Sequence, residues 1–191
     1  DLDIETLYVS DQIRIRYVTE IPQDTEAADD VGFEKAGPRR KIFFDPAETK
    51  AAIVTCGGLS PGLNDVIRSI VMQLYYKYGV EHILGIRFGY KGLNPANWLE
   101  PLKLRPGDVE RIHEWGGTIL GSSRGHEEPA VMVNTLEKLG INMLFCIGGD
   151  GTLRGANCIW KDVKRRGLPI SIVGIPKTID NDIGYVTKTF G

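Results

Sequence analysis

Two stretches in the last third of the chain combine carboxylates with groups that bind anions: Gly148-Gly149-Asp150-Gly151-Thr152 and Pro176-Lys177-Thr178-Ile179-Asp180-Asn181-Asp182. Glycines let bare backbone N–H groups approach phosphate oxygens that a side chain would hold away. A helix starting at Thr152 adds unpaired N–H groups and a positive dipole end. Asp150 repels a phosphate unless Mg²⁺ stands between them, directly or through its waters, so Asp150 is the candidate metal residue. Asp180 is the candidate general base, a role typically worth ~10²–10⁴-fold in rate when the proton comes from a sugar hydroxyl. Asp182 assists the metal or orients its neighbours. Each stretch has a plain alternative, a glycine turn for the first and a helix-capping loop for the second. Taken together they specify phosphoryl transfer.

Both stretches follow short apolar runs, Leu144 to Ile147 and Ile172 to Ile175, that read as buried strands. In an open parallel sheet they stand at strand carboxyl ends, where α/β proteins bind ligands. The β–α alternation starts at Ala51 with a strand to Cys56, a turn through Gly57-Gly58, and a helix with apolar positions from Val66 to Tyr78, stopped by Gly79. Strands follow at Ile83–Ile86, Asn142–Ile147 and Ile170–Ile175, with helices at Pro129–Leu139 and Thr152–Arg166. This pattern predicts an α/β fold: a Rossmann-like, three-layer parallel sheet with helices on both faces. Residues 1–50 read as an N-terminal arm beside a nucleotide-binding domain over 51–191. Gln12 to Val18 alternates apolar and basic residues, which predicts one half-buried strand.

Other residues offer chemistry on weaker signals. Gly57-Gly58 with Pro61-Gly62 forms a second backbone cradle, or an ordinary βα turn. Arg124, among small residues, is a candidate phosphate cation, although a lone arginine is usually solvated. Tyr90 packs on an adenine ring or belongs to the edge of the core. His82, His113 and His126 have no metal-ligand spacing.

Composition narrows the partners. The chain has 191 residues, 42% of them hydrophobic, enough for one sizeable domain. A net charge of −2 gives no basic field for nucleic acid or an anionic membrane, and no apolar run has membrane-spanning length. Cys56, Cys146 and Cys158 lack metal-ligand spacing and cannot all pair, which predicts buried reduced thiols in a cytoplasmic protein. The ending Thr189-Phe190-Gly191, without turn or cap, reads as cut from a longer protein.

Five motifs occur in the order found in phosphofructokinases: Gly57-Gly58 with Pro61-Gly62 and Asn64; Gly89-Tyr90 with Gly92-Leu93; Gly116-Gly117-Thr118 with Gly121-Ser122; Gly148 to Thr152; and Pro176 to Asp182. Residues 38–191 resemble that family. Arg39 to Pro46 and Ser122-Ser123-Arg124-Gly125 resemble its subgroup in plants, kinetoplastids and some bacteria. The resemblance implies transfer of a phosphoryl group to the 1-hydroxyl of fructose 6-phosphate. It implies Asp180 as base, Asp150 as the Mg²⁺-linked acid, and donor-phosphate contacts from Gly58, Arg124, Gly125, Gly149, Asp150, Gly151 and Thr152. Thr178, Ile179 and Asp180 match contacts to the acceptor sugar, and the remaining acceptor contacts fall beyond Gly191. It also implies dimers or tetramers.

The donor turns on two positions. Family members that use pyrophosphate usually carry an acid where Gly151 stands and a lysine where Lys177 stands, whereas familiar bacterial ATP enzymes have glycine at both. An acid at 151 would fill the space needed by the α-phosphate of ATP. Lys177 offsets charge on the transferring group with either donor and is a candidate catalytic residue. Exclusion by volume outweighs an added cation, so ATP is expected, with pyrophosphate the alternative. Two rivals remain: an NAD kinase or diacylglycerol kinase, which share the Gly-Gly-Asp-Gly-Thr loop, and a nucleotide-binding module without turnover.

Overall fold

The computed structural model of the chain describes residues 8–16, 32–97 and 99–190. The chain divides into two units, Asp1–Phe43 and Phe44–Gly191. In the first, β1 (Arg14–Arg16) pairs antiparallel with β2 (Gly32–Glu34), Ile15 lying opposite Phe33. All three residues of β1 are exposed, so the expected half-buried strand is a short exposed one. The remainder of that expectation, Tyr17 and Val18, lies outside the described residues. A two-strand ribbon has too little apolar surface to cover both sides of its alternation.

The second unit holds a five-stranded sheet in the order β5-β4-β3-β6-β7. Its centre is β3 (Lys50–Thr55), in which Ala51 to Val54 have no exposed surface. From β3 the chain runs through α1 (Leu63–Met72) to β4 (His82–Ile86), parallel to β3 on one side. The helical path continues past α1 as a wider π turn over Gln73–Lys77 and stops at Gly79, whose φ of 74° suits a residue without Cβ. The antiparallel edge strand β5 (Leu102–Lys103) and the one-turn helix α2 (Pro106–Val109) follow. The sheet is thus parallel in four strands, with one short antiparallel strand at its edge.

Past α3 (Pro129–Leu139), β6 (Met143–Gly148) returns to the opposite side of β3. Then α4 (Asp150–Arg166) leads to β7 (Ser171–Pro176), parallel to β6. Because the chain leaves β3 in both directions, the carboxyl ends of β3 and β6 form a topological switch point, where the flanking loops part and leave a crevice. The sequence placed α4 two residues late, since glycines at 149 and 151 disguise its start.

Period-two alternation sends β3 side chains to both faces. Ala52 and Val54 pack with Leu144, Cys146 and the inner faces of α3 and α4, while Ala51 and Ile53 pack with Ile83, Ile147 and α1. The result is the expected three-layer sandwich. Gly140 and Gly167 close α3 and α4 in left-handed conformation, with φ of 67° and 66°. Helix α4 carries Asp150 in its first turn and Lys164, Arg165 and Arg166 in its last, the order that complements its dipole.

Candidate functional site

The loops after β3, β6 and β7 converge at the switch point. After β3, Gly57 adopts φ of 84°, its N–H donates to the Ser123 carbonyl at 3.0 Å, and the Ser122 hydroxyl donates to the Gly57 carbonyl at 2.6 Å. This clamps the cradle against the segment that carries Arg124. After β6 the turn is tight enough to require glycine. A Cβ on Gly148 would sit 2.2 Å from Thr152 Oγ1 and 2.8 Å from the Cys56 carbonyl oxygen. The first turn of α4 then presents N–H groups with no partner within the helix.

Lys177 ties the loops together. Its backbone N–H donates to the Gly148 carbonyl at 2.9 Å, and its ammonium donates to the Gly58 carbonyl. The residue is 4% exposed, and burial holds its pKa below the ordinary lysine value, with Cys56 opposing that shift and Arg124 adding to it. Beyond it, the Asp180 N–H donates to Thr178 Oγ1 at 3.1 Å, and Thr189 Oγ1 donates to the Thr178 carbonyl at 2.6 Å. Asp180 and Asp182 stay exposed, and Ile179 is 70% exposed.

Between these loops lies a cleft of about 800 Å³, within the range of small-molecule sites. Every candidate residue lines it: Gly58, Tyr90, Arg124 and Gly125, the run Gly149 to Thr152, and Lys177 to Asp180. The sequence's two key carboxylates, Asp150 and Asp180, therefore face one cavity. Apart from its chain neighbours and the backbone of α4, nothing lies within 4 Å of where a Cβ on Gly151 would stand, so the space beside that residue is open.

The side chains differ in what they leave free. Tyr90 is 7% exposed, its hydroxyl donates to the Thr152 carbonyl at 2.7 Å, and its ring leaves no room for a Cβ on Gly155. Of its two readings, core edge is the one this geometry supports. Thr152 is 6% exposed, and its backbone is engaged as well, the N–H donating to the Gly149 carbonyl at 2.9 Å and the carbonyl accepting from Tyr90. Burial also pushes the Cys56 and Cys146 thiols up to about 12, which keeps them protonated and inert at neutral pH.

Other cleft residues escaped the sequence reading. Arg154 lines the cleft and binds both oxygens of Asp150, with Nε to Oδ1 at 3.1 Å and Nη2 to Oδ2. Its four-residue offset on a helix was a legible signal. Glu127 also lines the cleft and accepts a hydrogen bond from Asn94 Nδ2 at 2.5 Å, a pair no spacing rule would suggest. Cys158, half-buried rather than buried as expected, lines it as well.

Among the described residues no group of three or more His, Cys, Asp or Glu could hold a metal ion. A single exposed carboxylate such as Asp150 is compatible with the usual magnesium mode, in which one or two carboxylates and substrate phosphates share the ion. Among the described residues no helix is long and apolar enough to cross a membrane.

A family model described as phosphofructokinase matches residues 50–191. The chain is 50% identical over 185 residues to an ATP-dependent 6-phosphofructokinase of Borreliella burgdorferi, covering 96% of this chain and 41% of that protein. It is 57% identical over 158 residues to an ATP-dependent 6-phosphofructokinase of Entamoeba histolytica, covering 83% and 36%. The chain thus spans well under half the length of these relatives. Among solved structures, Pichia pastoris phosphofructokinase in the T-state matches with TM-score 0.65 at 25% identity, over 86% of this chain and 20% of that one. A pyrophosphate-dependent phosphofructokinase of Marinobacter aquaeolei matches with TM-score 0.64 at 20% identity, over 71% and 35%, a likeness of fold alone.

Proposed function

The chain belongs to the phosphofructokinase family, and on that premise we propose that the full protein transfers the γ-phosphoryl group of ATP to the 1-hydroxyl of fructose 6-phosphate. The observation that carries this reading is the shared cleft, which Asp150, Asp180 and the glycine cradle line together. The N–H groups of Gly58 and of the first turn of α4 bind phosphate oxygens, and Arg124 adds a cation. Asp180 accepts the proton of the sugar hydroxyl as its oxygen bonds to the γ-phosphorus and the bond to the β–γ bridging oxygen breaks, releasing ADP. Asp150 holds Mg²⁺, which when bound neutralises charge on the donor phosphates. Lys177 positions the Gly58 cradle through its carbonyl and sets a buried positive charge near the transferring group. Thr178 and Ile179 shape the sugar side. Cytoplasmic location and assembly as a dimer or tetramer belong to the same reading and rest on the family and on the unpaired thiols.

ATP is favoured over pyrophosphate by the open space at Gly151 and by the names of the relatives above 50% identity. The test is a coupled assay of the full-length protein with fructose 6-phosphate and either donor. ATP should support turnover, and Gly151→Asp should cut ATP use by orders of magnitude while leaving the fold intact, since the position opens onto the cleft and has room for a Cβ. Unchanged ATP turnover in that variant defeats the volume argument. Turnover with NAD instead of the sugar defeats the acceptor.

A further inference from the structure

The Asp150 carboxylate assigned above to magnesium is already occupied by this chain's own cation. Arg154 stands one turn along α4 and forks onto it, Nε to Oδ1 at 3.1 Å and Nη2 to Oδ2. Both side chains line the cleft and are solvent-accessible, 77% for Arg154 and 54% for Asp150. With both oxygens accepting guanidinium N–H groups, the carboxylate is neutralised and a poor ligand for a free divalent cation. An exposed pair of this kind is inexpensive to break. The long arginine stem then leaves a fork-shaped phosphate ligand within the same cleft.

We propose that Arg154 is a positioning residue that exchanges partners: it masks Asp150 in the empty cleft and moves to the donor's phosphates when the metal–nucleotide complex arrives. The inference rests on the proposed donor site and adds a role for a residue that site did not include. Asp150 then recruits magnesium only together with polyphosphate, and one guanidinium serves two states. Masking also keeps a lone acid from repelling the incoming anion.

The exchange gives a prediction of unusual sign, because removing the metal-binding acid should improve binding of metal-free nucleotide. Calorimetric titration of the full-length protein with ATP in EDTA would compare wild type, Asp150→Asn, Arg154→Gln and the double variant. Asp150→Asn should tighten binding by roughly threefold, the worth of an exposed ion pair that no longer has to be broken. The double variant should lose most of that gain. Relief of repulsion alone would leave the gain equal in both backgrounds, and that equality overturns the proposal. In parallel, Mn²⁺ alone, followed by water-proton relaxation, should bind Arg154→Gln about threefold tighter than wild type, as expected for release of an exposed ion pair. No change in Mn²⁺ affinity counts against masking. Failure of every protein to bind ATP, with or without Mg²⁺, defeats the donor-site reading itself and the exchange with it. Binding with no coupling defeats the exchange alone.

Discussion

The two walls of the cleft are built differently. The proposed donor wall, Gly149 to Thr152, follows the interior strand β6 through Gly148 and is backed by core: Ile147 and Cys146 have no exposed surface and Thr152 only 6%. The proposed acceptor wall, Thr178 to Asp182, follows the edge strand β7 and is held mainly by a few threonine and backbone hydrogen bonds. Val173 on β7 is 37% exposed and Ile179 is 70% exposed. The difference separates two kinds of vulnerability. Substitutions at the packed positions of the donor turn, Gly148 and Thr152, should disturb the fold and binding together, whereas substitutions at the exposed Ile179 and Asp180 should reach chemistry with little cost in stability.

Asp180→Asn gives the largest effect and the cleanest separation. It should lower kcat by ~10²–10⁴-fold with a small change in KM, because the base acts in the transition state. Its melting temperature should match wild type, since the Asp180 side chain is exposed. A comparable rise in KM would make it a binding residue, and a lower melting temperature would erase the contrast between the walls.

Gly148→Ala attacks the other wall. The added methyl overlaps Thr152 and the Cys56 carbonyl, and overpacking of this kind costs about 1–3 kcal/mol. Chemical denaturation should show that loss, and titration with Mg-ATP should show weaker binding alongside it. Wild-type stability in this variant would mean that the donor turn yields more easily than its packing indicates.

The smallest effect at neutral pH is linked to protons. Cys56 and Cys146, beneath the donor wall, are raised from 9.0 to about 12 in the fold. The folded chain therefore keeps protons that the unfolded chain gives up, and their contribution to stability is complete below pH 9 and lost as pH rises toward 12. Denaturation midpoints measured at intervals above pH 9 should fall, and Cys56→Ser with Cys146→Ala should flatten that fall. An unchanged slope would place the alkaline sensitivity elsewhere.

Much of this was legible in the residues. Pro129 and Gly140 bracket α3 at the predicted ends because each fixes a backbone geometry at its terminus. The central strands declared themselves by apolar runs, and the cleft loops by glycines at their carboxyl ends. What escaped was either too short or too far apart. Leu102–Lys103 forms a strand of two residues, too brief for any period. The ammonium of Lys177 reaches Gly58 across 119 positions, and the Tyr90 hydroxyl reaches Thr152 across 62. Partners at such separations are chosen by how strands are ordered in the sheet, which local pattern does not encode. Arg154 is the exception, since its offset from Asp150 could have been noticed.

Lys177 has a mechanical corollary. It leaves the end of an edge strand yet fastens itself to the turns that follow two other strands, one through its peptide nitrogen and one through its ammonium. Three loops of the cleft are thus braced by a single rivet. Displacing the loop after β7 would therefore strain two hydrogen bonds at the other turns as well.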